Sequence, residues 1–185
     1  PRARLGRDAD PDRPDEPGRA PRVAPDSVDA VAQVLGTAHE EGWRVRIEGA
    51  GTWMPDDAPA DVVLSTRRLD RIGAIMPEDL TATADAGVPV GTLRERLAER
   101  GAWIALDPPG APARTLGSVI ATGTAGPLRQ GFGPVRDHLL GLTVVTGDGR
   151  VVTSGGRVMK NVAGYDLTKL HAGGFGAFGA VVAAP

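Results

Sequence analysis

Apolar side chains return at helical spacing in "PDSVDAVAQVLGTAHEEG", where Val28, Val31, Ala32, Leu35 and Ala38 share one face. Asp26 or Ser27 is placed to cap the start of that helix, and Gly42 to end it. The pattern then switches to alternation: "WRVRIE" predicts a strand, and "DVVLST" a second one. "TATADAG" alternates small residues as a strand would, and "VGTLRERLAERG" returns to helical spacing through Leu93 and Leu97 before Gly101. "AWIAL" predicts another strand, and "TLGSVIATGTAG" a short apolar helix or turn. "LLGLTVVTGDGRVVTSG" reads as two β-branched strands joined around Gly147-Asp148-Gly149. "YDLTKLHAGGFGAFGAVVAAP" reads as a short helix, a glycine turn and a last strand.

The order is βαβ-like in front and an antiparallel meander behind, which predicts an α+β fold of two subdomains, about 23–106 and 107–185. Residues 1–22 mix Pro, Arg and Asp, hold almost nothing to bury, and predict a mobile arm.

Composition narrows the chemistry. The 185 residues suffice for one substantial domain or two small subdomains sharing a core. A formal net charge of −2 and 4 % aromatic residues give no case for nucleic acid. There is no cysteine, which removes disulfides, Cys-based zinc, Fe–S ligation and a cysteinyl flavin link within this stretch. The 3 histidines, His39, His138 and His171, lie far apart and predict no metal site. No apolar run approaches the ~18 residues of a membrane span. The expectation is a cytoplasmic chain without direct membrane insertion.

The 26 glycines and 16 prolines gather in separate loops, the mark of a backbone that touches a ligand. In "VRIEGAGTWMPDDAP" a Gly-x-Gly follows a strand, which invites a dinucleotide reading. The Rossmann version fails, because no third glycine and no helix follow Gly51; a P-loop fails for want of a Lys-Ser/Thr pair. What remains is an anion nest of N–H groups with the Thr52 hydroxyl, faced by a second glycine wall in "DPPGAPARTLGSVIATGTAG". Close backbone approach is expected at Gly51 and Gly117.

Taken in order, "GAGT", "AGVPVGTLRERLAERG", "DPPGAPARTLGSVIATGTAG", "GPVRDHLLGLTVVTGDGRVV", "GGRVMKNVAGYDLTKL" and "GGFGAFGAVV" are specific. Over about residues 23–185 the chain resembles the FAD-binding domain of the vanillyl-alcohol oxidase / p-cresol methylhydroxylase flavoproteins, in particular the branch of the glycolate oxidase FAD-binding E subunits. The resemblance implies FAD extended between the two subdomains, its diphosphate against the two glycine loops. It places Gly49, Ala50, Gly51 and Thr52 in the first loop. In the second it places Pro108, Pro109, Gly110, Thr115, Gly117, Ser118 and Ala121, with Thr122 and Gly126 nearby. It further implies Asp137 in the "RD" pair and Val181 in the final strand as cofactor contacts.

Two glycines of the family pattern are replaced, by Ala50 and Ser118; Ala50 is tolerable only at negative φ, and Ser118 offers a hydroxyl. With Thr52-Trp53 in the region where covalent members carry histidine, FAD binding is expected to be non-covalent. By the same resemblance, the domain oxidises a small 2-hydroxy acid and passes electrons through FAD to glycolate-oxidase-type subunits, including an Fe–S subunit, placed peripherally on the inner membrane by those partners. The alternatives are a non-catalytic FAD-binding or assembly subunit and a degenerate flavin domain. Family members continue into a C-terminal domain that covers the flavin; it is expected to be missing here, so the chain alone should turn over poorly and no catalytic residue is assigned. Lys160 and Asn161 are candidates for a partner-facing loop.

Overall fold

The computed structural model describes residues 10, 11, 19–53, 59–110, 112–156 and 167–185. The front of the chain builds a three-stranded parallel sheet from β1 (Arg22–Val23), β2 (Val45–Glu48) and β3 (Val62–Ser65), in the order β1-β3-β2. Between β1 and β2 runs helix α1 (Val28–Glu40), capped by the Ser27 hydroxyl, which accepts from the Ala30 N–H at 3.3 Å. Its stripe of Val31, Val34, Leu35 and Ala38 is buried. Each Val or Leu so buried is worth about 1.5–3 kcal/mol.

The rest of the chain builds a five-stranded sheet in the order β4-β5-β8-β6-β7, antiparallel throughout. Its strands are β4 (Ile72–Met76), β5 (Thr81–Asp85), β6 (Gly141–Val145), β7 (Val151–Gly155) and β8 (Ala180–Ala184). Helices α2 (Val90–Ala98), α3 (Leu116–Thr122), α4 (Arg129–Phe132) and α5 (Leu167–His171) lie between them in sequence. The hairpin β6–β7 pairs Val145 with Val151 around the expected turn.

Strands β6 and β8 are buried on both faces, which is why they read as continuous apolar runs. Val145, Ala180 and Val182 pack with α1 and the first sheet. Leu142, Val144, Val181 and Ala184 join a second core with Leu93, Leu97, Leu116, Val119 and Ile120. Both cores therefore share the two central strands, and the ends of the two sheets meet over one cleft.

Three sequence expectations differ from this architecture. "AWIAL" forms no strand: Ala105 and Leu106 are buried, but the segment pairs with no strand among the described residues. Strand β4, "IGAIM", was not expected; its Gly73 lies against Thr83 of β5, where an ideal Cβ would stand 3.3 Å from the Thr83 side chain. Because β4, β5 and α2 belong to the second sheet and its core, the sheets divide between Ser65 and Ile72, not near 106.

Within the segment expected to be a mobile arm, Arg22 pairs with Glu48, and Asp10 is buried with its carboxylate 2.8 Å from Arg67 Nη2. Most of that segment lies outside the described residues, as do Lys160 and Asn161. No helix among the described residues is long and apolar enough to cross a membrane.

Candidate functional site: a cleft between two glycine-rich loops

A cleft of about 490 Å³ opens where β2 ends. That volume is in the range of nucleotide and cofactor pockets, ~300–1,000 Å³. Three segments make most of its wall: residues 45–53, the residues 117, 118, 121 and 122 of α3, and residues 175–177, 179 and 181 of the glycine turn and β8, with Arg22, Pro59 and Thr66 completing it.

The first wall is an open backbone. Ala50, Gly51 and Thr52 donate to no backbone carbonyl among the described residues, while the Gly49 carbonyl is held by the Ser65 hydroxyl at 2.9 Å. Gly51 sits at φ 68°, a left-handed conformation that a β-branched side chain resists. Ala50 is not among the positive-φ residues, so the methyl that replaces the family glycine is accommodated. Unpaired N–H groups in such a turn are donors waiting for an anion.

The second wall is built differently. Its backbone is stitched to residues 86–91: Gly117 donates to Ala86 at 2.7 Å, Leu116 to Val88 at 2.8 Å, and Val90 to Arg114 at 2.8 Å. The Gly117 N–H is therefore spent, and an ideal Cβ there would stand 2.7 Å from the Ala86 methyl, pointing into the protein. This glycine serves packing against Ala86; it does not offer its N–H to a ligand. Side chains carry the polar chemistry of this wall, through the hydroxyls of Ser118 and Thr122, one helical turn apart. Thr115 caps the helix from below, its hydroxyl 3.4 Å from the Ser118 N–H.

The third wall had no assignment before β8. The segment after α5 docks on the end of α3, with Gly173 donating to Ile120 at 3.0 Å and Phe175 to Ala121 at 2.8 Å. Phe175 lines the cleft at φ 52°, an uncommon backbone for an aromatic residue, and is exposed. Behind it His171 is buried, edge-on to Phe178, and burial pulls its imidazole below the usual histidine pKa. His39 is exposed at the end of α1, and the buried Nε2 of His138 has no hydrogen-bond partner among the described residues.

Of the residues expected to touch a cofactor, Gly49, Ala50, Gly51, Thr52, Gly117, Ser118, Ala121, Thr122 and Val181 line the cleft together. Pro108, Pro109, Gly110, Thr115, Gly126 and Asp137 do not. Gly126 is tied to Asp107, whose carboxylate accepts from the Gly126 and Leu128 N–H groups at 3.0 Å each; an ideal Cβ at Gly126 would meet that carboxylate. Asp137 lines a separate, larger and mainly apolar basin with Leu80, Trp103 and Phe132. Sequence reasoning missed Trp53, Phe175, Gly176 and Gly179 as wall residues; the dense glycines of "GGFGAFG" were the available signal. Among the described residues no cluster of three His, Cys, Asp or Glu could hold a metal.

Open N–H groups on one side, hydroxyl-bearing α3 on the other and a glycine turn at the end suit a phosphate-bearing dinucleotide. Gly51 and Thr52, Ser118 and Thr122, and Val181 lie on these three walls.

Known proteins agree with that fit. Glycolate oxidase subunit GlcE of Escherichia coli K12 is 44 % identical over 105 residues, covering 56 % of this chain and 30 % of that protein. Glycolate oxidase subunit GlcD of Bacillus subtilis 168 is 31 % identical over 165 residues, 88 % of this chain and 35 % of that protein. D-lactate dehydrogenase of Archaeoglobus fulgidus is 31 % identical over 166 residues, 88 % of this chain and 37 % of that protein. The chain thus spans about a third of the length of the curated relatives it matches. A solved structure of alkyldihydroxyacetonephosphate synthase superposes with a TM-score of 0.74 at 22 % identity, over 88 % of this chain and 32 % of that one, which shows the fold. The family profile described as FAD binding domain matches residues 20–155, and with it the chain belongs to the FAD-binding flavoproteins of the p-cresol methylhydroxylase type, an oxidoreductase family whose cofactor is FAD.

Proposed function

We propose that this chain is the FAD-binding part of a 2-hydroxy-acid oxidoreductase, related to glycolate oxidase and D-lactate dehydrogenase, and that it hands electrons to partner subunits. The cleft carries the proposal: it joins a loop whose N–H groups reach no backbone carbonyl among the described residues, the Ser118 hydroxyl and a glycine turn in one space. Relatives named as glycolate oxidase subunits and D-lactate dehydrogenases supply the substrate class.

FAD, when bound, supplies a two-electron acceptor for the substrate C–H bond. The chain's own residues hold it. Gly51 and Thr52 would present N–H donors to its diphosphate, Ser118 would add a hydroxyl from α3, and Val181 would contact the adenine. With no cysteine in the sequence and no histidine in the first loop, the cofactor is held non-covalently. These 185 residues hold no cysteine, so an Fe–S relay would be supplied by further sequence or by a partner subunit, and such partners would place the protein peripherally on a membrane. Excluding water and aligning the hydroxy acid call for a cover over the flavin, contributed by further sequence or by a partner.

The test uses the protein as it is made: tagged in its native host, recovered with bound subunits, and held under anaerobic conditions. Heat-released cofactor should run as FAD, and glycolate or D-lactate should bleach the flavin band. Recovery of FMN overturns the cofactor assignment. Bound FAD that no 2-hydroxy acid bleaches overturns the catalytic reading in favour of a non-catalytic FAD-binding or assembly subunit.

A further inference from the structure

Arg114 is the largest fully buried side chain of the described residues, 1 % exposed, and it is a cation. Among the described residues no carboxylate pairs with it, and its Nε and Nη1 reach no acceptor. Its one bonded nitrogen is turned toward the cleft wall. Nη2 donates to Ser118 Oγ at 2.9 Å, to Thr122 Oγ1 at 2.9 Å and to the Ser118 carbonyl at 3.3 Å. The guanidinium lies 4.2 Å from the centre of the Trp53 ring, which belongs to the opposite loop. Burial lowers its pKa, yet a guanidinium stays charged at any physiological pH.

A buried charge without a counter-charge is unfavourable, and an arginine fork left partly unbonded is doubly so. Its bonding partners point to where the missing anion belongs. Ser118 and Thr122 line the cleft, as does Trp53. The two hydroxyls are not equivalent. Thr122 donates its own proton back to the Ser118 carbonyl at 2.7 Å. Ser118 Oγ accepts from Arg114, and among the described residues it donates to nothing. With its oxygen occupied by a cation behind it, the hydroxyl hydrogen is left free, polarised and directed away from Arg114. Ser118 stands where the family pattern has glycine, so the arginine and the hydroxyl form a couple that the glycine pattern lacks.

Resting on the FAD reading, we propose that Arg114 is a positioning residue for the cofactor diphosphate, whose charge it balances from behind α3 by setting Ser118 as a hydrogen-bond donor into the cleft. Arg114 holds the Ser118 oxygen, Ser118 donates to a phosphate oxygen, and Trp53 closes the other face of the cation.

The experiment measures binding of FAD, ADP and riboflavin to cofactor-stripped protein by fluorescence or calorimetry, for the parent, Ser118→Ala, Arg114→Met and the double variant. Hydrogen bonds to charged groups predict that Ser118→Ala weakens FAD and ADP by roughly tenfold, and Arg114→Met by roughly ten- to a hundredfold. The double variant should bind no worse than Arg114→Met, because one substitution already removes the relay. Riboflavin, which has no phosphate, should be unaffected.

Unchanged FAD binding by Ser118→Ala, full additivity in the double variant, or an equal loss for riboflavin would overturn the proposal and leave Arg114 a packing residue. If Arg114→Met does not fold, Ser118→Ala decides on the FAD and riboflavin comparison alone. A parent that binds riboflavin but neither FAD nor ADP overturns the FAD reading itself, a result distinct from failure of the relay.

Discussion

The two glycine-rich loops look alike in sequence and work in opposite ways. In the first, Gly49 packs against the Thr115 side chain, but the N–H groups of residues 50–52 reach no backbone carbonyl among the described residues and the chain bends at Gly51, so the backbone past Gly49 faces the cleft. In the second, Gly117 and Gly126 have their N–H groups taken by Ala86 and Asp107, and their missing side chains are replaced by neighbouring atoms. There the contact surface is made by Ser118 and Thr122, supported by Arg114. One loop, past Gly49, keeps its backbone open toward a ligand. The other is glycine-rich to approach the rest of the protein, so that its hydroxyls are held in place.

That contrast is broken most directly at Gly117. A valine there would put Cβ 2.7 Å from the Ala86 methyl and 3.0 Å from its carbonyl oxygen, with no flexible side-chain end to move aside. Overpacking of this kind costs roughly 1–3 kcal/mol or more, and about 2–4 °C of Tm per kcal/mol in a chain of this size. Gly117→Val should therefore lose about 6 °C or more in Tm, or fail to fold, before any flavin is added. Thermal unfolding followed by circular dichroism checks it. A variant with parental Tm that has lost only FAD would mean that Gly117 faces the ligand after all.

Gly51→Val should show the reverse balance. Its loop is at the surface of the cleft, so the folding penalty is confined to the left-handed backbone, about 1–3 kcal/mol. The N–H groups of residues 50–52 would lose the geometry that aims them at one anion. FAD affinity should fall by more than the lost stability accounts for, roughly a hundredfold against a Tm loss of only a few degrees. Titration with FAD beside the same unfolding measurement separates the two. Parental affinity would show that the first loop does not hold the diphosphate.

Elements specified by local pattern were legible in the sequence: α1 by its period and Ser27 cap, the β6–β7 hairpin by its β-branched strands, and the first loop by glycines after a strand. What depended on distant partners was not. Strand β4 carries a glycine and is defined by pairing with β5, whereas "AWIAL" has strand-like residues and no partner edge. At the site, glycine spacing could not tell Gly51 from Gly117, since close approach to a ligand and to Ala86 demand the same residue. Arg114 was invisible for a related reason: an arginine in a Pro- and Gly-rich loop ordinarily faces water, and only the three-dimensional packing places this one beneath Trp53 and Ser118. Asp137 followed a family motif into a turn that opens on the other basin.

The smallest expected effect sharpens the comparison at the third wall, which resembles the second in being held by packing. His171 closes α5, is 8 % exposed and lies edge-on to Phe178, two residues before β8. Burial disfavours its charged form, so its folded pKa is lower than the unfolded value of about 6.5. Between those two values the unfolded chain binds more protons than the folded one, and stability rises with pH there. Above about pH 6.5 the neutral imidazole carries no penalty; below it stability falls, levelling off once the folded pKa is passed. A single group sets a ceiling of about 1.4 kcal/mol per pH unit on that slope. His171→Leu keeps an apolar side chain of similar reach against Phe178 and removes the titration. The variant should match or exceed parental stability at neutral pH and lose less between about pH 6.5 and 5. Denaturant unfolding at several pH values measures the difference. Parallel curves for parent and variant would show that His171 carries a proton as readily folded as unfolded, and that the third wall is open to water where the second is not.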